Sequence, residues 1–301
     1  MAIQSPTFLT STNLFNIFLQ ASITTVIATG MTIVILTGGI DLSVGSIVAL
    51  VAVTMGTLMR SGSGVFVSIL IGLIVGVLAG FVNGFIVSKG KVPAFISTLG
   101  MMSVARGLAL VVTNGQTIHM FPKNFRVFGT GYIGRVPVPA IIAVSTIIIA
   151  HFFLTRTRFG RYIYAVGGNR EAVHLSGINV AKVETLAYMI SGLLCGVASV
   201  ILVGRLNSAQ PIAGYGYEMN AIAASVIGGT SMSGGEGSVF YTLIGALIIG
   251  VLQNGLTLLN VTSYVQQIVI GSVIVVAVFA DQLRRGNVSI IRSKKSPAKA
   301  A

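Results

Sequence analysis

From Val65 to Val87 twenty-three consecutive residues carry no charge. Apolar runs recur at 17–36, 44–59, 94–112, 139–154, 180–203, 217–227, 238–258 and 263–280. A run of about 20 such residues crosses a bilayer upright. Charged residues make up 8% of the 301, where a soluble domain carries about 25%. So little charge cannot clothe a water-facing surface. The runs predict an all-α fold, a polytopic membrane helical bundle of about nine spans, some short or broken. The shortest run, 217–227, reads as a half-helix, whose backbone ends survive only where protein or a water-filled cavity shields them.

The net charge of +13 invites a nucleic-acid reading. The cations are better explained by orientation, since short cytoplasmic loops collect Lys and Arg. With the C-terminus inside and the sides alternated backwards, 13 of the 19 Lys and Arg fall in inner loops and tail. Five (Arg60, Lys123, Arg126, Arg135 and Arg205) fall outside, and Arg106 lies in a span. The N-terminus is then outside. Residues 1–13 lack the basic start and cleavage signature of a signal peptide, so the first run is expected to remain as a span. The tail 282–301, with Arg284, Arg285, Arg292, Lys294, Lys295 and Lys299, is expected to be a basic cytoplasmic anchor to anionic lipid.

The longest basic insert, Thr155 to Lys182, separates two apolar runs and carries Arg156, Arg158, Arg161, Arg170 and Lys182. Within it Asn169 is a good helix N-cap, Glu171 suits the first turn, and Gly177 supplies a stop. Ala172, Val173 and Leu175 give the short helix an apolar face too small for a core. Two readings stand: a docking element for a partner protein, or a connecting loop with an incidental helical turn.

Elsewhere, Gly72, Gly76, Gly80 and Gly84 recur every fourth residue and predict a smooth helix face for close packing. Two joints, Gly38 to Gly45 and Gly228 to Gly235, share the pattern Gly-Gly-x-x-[Leu/Met]-Ser-x-Gly, a possible trace of duplication. Neither ends in Gly-Lys-[Ser/Thr], so neither is a nucleotide loop. Asp41, Ser43 and Ser233 are read as caps of the following helices, and Glu218 likewise near its helix start. The long stretch 113–139 is read as a solvated outer loop; the run from Arg205 to Asn220 is polar, turn-rich and on the outer side, and its Asn, Gln and Tyr residues suit a hydroxyl-bearing solute. Amides in or beside the spans are candidates for touching a hydroxyl-bearing solute, which needs donors and acceptors together. They are Asn83, Asn207, Gln210, Asn220, Gln253 and Asn254.

Catalytic groups are scarce. His119, His151 and His174 are far apart in sequence, no metal-ligand spacing or nucleophile elbow is present, and Cys195 is expected to be a buried apolar-like thiol. Glu184 is the lone carboxylate in a long span, near its inner edge. The chain is therefore expected to have no energy source of its own, not to be an enzyme, and to bind no cofactor.

Five motifs in order carry a likeness: Gly30 to Ser46, Gly160 to Asn169, Leu175 to Val180, Ser208-Ala-Gln-Pro, and Gly228-Gly-Thr-Ser-Met-Ser-Gly. Together they resemble the permease subunit of ribose-type ABC monosaccharide importers, from about Ser5 to Asp281. The resemblance implies two permease copies in the bacterial inner membrane, two ABC ATP-binding subunits that alone hold ATP, and an external sugar-binding protein. It makes 1–281 the permease domain and about 169–177 the coupling helix, with Asn169, Arg170, Glu171, Ala172, Leu175 and Gly177 facing the ATPase. It also implies ten spans. Here the Ser-Pro-x-Phe stretch begins at Ser5, so the first span is expected to be missing through a shortened chain. The alternatives are a branched-chain amino-acid ABC permease and a stand-alone facilitator channel.

Overall fold

The computed structural model describes residues 7–284. The basic tail expected after residue 281 falls, from residue 285 on, outside the described residues, as does the start of the Ser5 stretch.

Each of the nine apolar runs is a helix: α1 (Ser11–Leu36), α2 (Val44–Arg60), α3 (Val65–Ser88), α4 (Ala94–Thr113), α6 (Val138–Arg156), α9 (Val180–Leu206), α10 (Tyr217–Ile227), α11 (Val239–Leu258) and α12 (Ser263–Arg284). Three further helices lie in stretches read as polar: α5 (Lys123–Thr130), α7 (Arg158–Gly168) and α8 (Arg170–Leu175). Among the described residues, six helices are long and apolar enough to cross a membrane: α1, α3, α4, α6, α9 and α11. With them go shorter apolar helices, among them α2. Four two-residue strands form two small antiparallel pairs, β1 (Ile118–His119) with β4 (Ser208–Ala209) and β2 (Tyr132–Ile133) with β3 (Val136–Pro137).

The helices sort by exposure. Most of α1 and α2 is buried, as are α9 beyond its first turns and much of α10; they form the interior. On α3, α4, α6, α11 and α12 many large apolar side chains point outward, for example Phe66, Leu78, Val111, Ile149 and Ile268. In water such a surface would be untenable; in a bilayer it is the lipid-facing belt.

The α3–α9 crossing depends on glycine. A Cβ at Gly76 would strike the carbonyl of Gly192, one at Gly80 the carbonyl of Tyr188, and one at Gly84 the Thr185 Cα at 2.6 Å. The four-residue glycine ladder is thus a packing face, as its spacing predicts.

The two similar joints meet each other. Gly235 N–H donates to the Leu36 carbonyl at 3.0 Å. A Cβ at Gly234 would lie 2.8 Å from the Gly38 nitrogen. The end of α7 completes the junction, because Gly167 packs on the Leu36 carbonyl and the Gly235 nitrogen with no room for a side chain. The joints therefore serve more than reversal of the chain: they bind the ends of α1, α7 and α10 together.

The capping expectation is corrected in detail. Ser43 occupies the N-cap position of α2 without a side-chain cap bond, and α11 is capped by Ser238, which accepts from Phe240 N–H, rather than by Ser233. Asp41 does hold the start of α2, since its Oδ1 accepts from Ser43 N–H at 3.0 Å and Ser43 Oγ–H at 2.5 Å. Its Oδ2 also accepts from Ser191 Oγ–H at 3.0 Å, which fastens the joint to α9.

Candidate functional site

On one face of the bundle α8 stands out from its surroundings. Asn169 caps it, accepting from Ala172 N–H at 2.9 Å, and Glu171 lies in its first turn. Gly177 follows at φ +78°, the left-handed stop that a glycine tolerates without strain. Asn169, Arg170, Glu171, Ala172, Leu175 and Gly177 are all exposed, with Leu175 at 80%. Val173 differs from expectation. It is buried and anchors α8 to a small cluster with Val166 and Val180, because a two-turn helix needs one apolar root to stay seated.

Arg170 has a role its position alone did not reveal. Its guanidinium pairs with Glu184 near the start of α9, Nε to Oε1 at 2.9 Å and Nη2 to Oε2 at 3.0 Å. A bidentate pair of this kind fixes orientation as well as charge. A cleft of about 720 Å³ opens beside it, lined by Arg170, Glu171, His174, Lys89 and Lys91. Leu175 and Glu171 remain exposed beside the cleft.

The second site lies between α1, α9, α10, α11 and α12, in a cavity of about 670 Å³. Asn220 and Gln253 meet there, Gln253 Nε2 donating to Asn220 Oδ1 at 3.1 Å. Gln20, Gln266, Gln267, Arg205, Tyr217 and Glu218 line the same space. Glu218 sits in the first turn of α10 as the helix dipole favours. Amides, a phenol and one charge of each sign give donors and acceptors around a volume that suits a small hydroxylated solute. The sequence reading missed Gln20, Gln266 and Gln267. An adjacent Gln pair inside an apolar run was the available signal.

The remaining amides lie elsewhere. Asn83 is fully buried and donates to Ser43 Oγ at 2.8 Å. Asn254 and Asn13 exchange reciprocal amide bonds of 2.9 Å that tie α11 to the start of α1. Asn207 ends α9 in the left-handed conformation and accepts from Phe121 N–H at 3.1 Å. Gln210 reaches only Ser208 Oγ, at 3.5 Å. Two of the six therefore share the cavity, Asn83, Asn207 and Asn254 tie separate elements together, and Gln210 makes a local contact.

The run 205–220 is fastened to the bundle. Gly214 packs against Gly45 at the start of α2 with no space for a side chain on either, while Ile212 and Tyr215 stay exposed. Arg106, beyond the middle of α4, donates from Nη1 to the carbonyls of Pro211 and Ala213 at 2.8 and 2.7 Å. Irregular backbone beside apolar helices needs such internal partners.

A lipid-belted bundle with a short interior helix and a polar cavity fits a membrane transport subunit. The family described as the branched-chain amino acid transport system / permease component matches residues 13–278, and this chain belongs to it. It is 49% identical over 285 residues to the ribose import permease protein RbsC of Escherichia coli (strain K12), covering 93% of this chain and 89% of the relative. The ribose import permease protein RbsC of Bacillus subtilis (strain 168) is 50% identical over 284 residues, 94% of this chain and 88% of the relative. The D-allose transport system permease protein AlsC of Escherichia coli (strain K12) is 41% identical over 277 residues, covering 92% and 85%.

Proposed function

We propose that this chain is the membrane-spanning permease subunit of an ATP-driven ABC importer for a monosaccharide, with ribose the favoured sugar. The observation that carries the reading is the half-identity to two ribose import permeases along more than nine-tenths of the chain. The family description speaks of branched-chain amino acids. The sugar reading is preferred because relatives at 50%, 49% and 41% identity are named for ribose, ribose and allose, and an amide-lined cavity matches hydroxyl groups better than an aliphatic side chain.

In this reading the protein lies in the bacterial inner membrane with α8 and the C-terminus on the cytoplasmic side. Two copies pair, two ATP-binding subunits dock on α8 through Leu175 and Glu171, and an external binding protein delivers sugar to the opposite face. ATP binds to the partner subunits alone. Closure of the ATP-binding pair displaces α8, and the permease pair alternates between outward-open and inward-open states.

The test is uptake by the complete transporter in proteoliposomes containing ATP, offered labelled ribose, allose or leucine together with the cognate binding protein. ATP-dependent ribose uptake is expected. Uptake of leucine but not sugar would establish the amino-acid alternative, and ribose flux through the lone chain without ATP would establish a facilitator.

A further inference from the structure

The close α3–α9 crossing leaves a furrow on the lipid-facing side of the bundle. Phe81 and Phe85 from α3, Leu186 and Met189 from α9, and Phe159 from α7 line it, enclosing about 430 Å³. The two α3 phenylalanines stand with ring centroids 6.0 Å apart and form one wall. The glycines beside them, Gly80 and Gly84, bring α9 close against α3. Ala181 and Thr185 complete the apolar part of the lining, and Lys89 and Lys182 are its charged members. Both lysines are exposed, and among the described residues neither ammonium has a hydrogen bond or ion pair; the nearby carboxylate of Glu184 is taken by Arg170. Phe81 to Lys89 is about 12 Å of helix rise. With the lysines at the headgroups, that rise carries Phe81 into the hydrocarbon.

We propose that this furrow is a binding site for one anionic glycerophospholipid from the leaflet on the α8 side. Its phosphate sits between Lys89 and Lys182, and its acyl chains lie along Phe81, Phe85 and Met189. Any outward apolar wall is covered by lipid tails; two unpaired cations at one end of a furrow are what select the headgroup. A zwitterionic lipid brings its own cation toward the lysines, whereas a net negative headgroup does not. An acidic segment of a partner protein is a poorer occupant, because it would satisfy the lysines and leave the phenylalanine wall unmatched. Lys91, in the adjoining cleft, adds to the same positive field. The proposal does not rest on which solute is carried.

The full chain, purified in non-ionic detergent, is to be mixed with phosphatidylglycerol or phosphatidylcholine and read by native mass spectrometry. One phosphatidylglycerol per chain is expected to survive detergent removal, with phosphatidylcholine retained roughly tenfold less. The K89Q/K182Q variant is expected to lose that preference and K89R/K182R to keep it. Leu186→Trp, which fills the furrow, is expected to lower retention of both lipids while the melting temperature holds. Equal retention of the two lipids by the wild-type chain would overturn the proposal. So would an undiminished preference in K89Q/K182Q, which would mark a diffuse surface-charge effect.

Discussion

Arg106 does for residues 210–216 what water does for a surface loop: it supplies hydrogen-bond donors to carbonyls that have left regular structure. Replacing it by leucine orphans both carbonyls where unsatisfied backbone groups are costly. Arg106→Leu is expected to lower the melting temperature in detergent by several degrees and abolish uptake. Arg106→Lys, still a donor, should recover part of the stability. The amides separate along the same lines. Asn220 and Gln253 touch each other in the cavity, so Asn220→Ala and Gln253→Ala are expected to reduce sugar uptake several-fold with thermal stability nearly unchanged. Asn254 is half of a buried reciprocal pair with Asn13. Asn254→Ala should therefore cost about 1–3 kcal/mol of stability through the orphaned partner, visible as a lowered melting temperature whatever the solute. A sequence does not distinguish these two kinds of amide. Each is a polar residue near a run of apolar ones, and only the neighbouring helix decides whether it faces a partner or a cavity.

At the level of elements, the nine apolar runs are legible because a bilayer imposes length and polarity on each span; α10 even has the expected bounds of 217 and 227. The helices missed, α5 and α7, are short, sit in basic stretches, and earn stability from a few buried side chains such as Phe125 and Ile163. The fastening of 210–216 to the bundle was illegible for a related reason. Its Pro, Gly and Tyr residues read as an outer-side turn, and nothing local announces that Arg106 waits beneath. The α1–α7–α10 junction gives a sharp contrast between neighbouring glycines. A methyl group at Gly167 meets the Leu36 carbonyl and the Gly235 nitrogen, while one at Gly168 meets nothing within 4 Å. Gly167→Ala is expected to lower the yield of folded protein and uncouple uptake from ATP hydrolysis, whereas Gly168→Ala should behave as wild type in both assays.

For the molecule as a whole, the arrangement of faces is testable with thiol chemistry. Cys195 is fully buried, so the native thiol gives no background toward a membrane-impermeant maleimide. A cysteine at Leu175 is expected to label in inverted vesicles but not in intact cells, and one at Met120, 88% exposed on the opposite face, to show the reverse. Labelling of both from one side would refute the orientation. The pairing of Arg170 with Glu184 then acquires a mechanical meaning. Glu184 stands at the foot of α9, a helix of 27 residues that rises about 40 Å. Gly192 braces it part-way against α3, and Arg205 at its far end borders the amide cavity. A stiff rod held at a fulcrum transmits a push at one end as a swing at the other. A push on the stub at Arg170 is therefore expected to reach the cavity wall through α9, which runs as one helix from Val180 to Leu206.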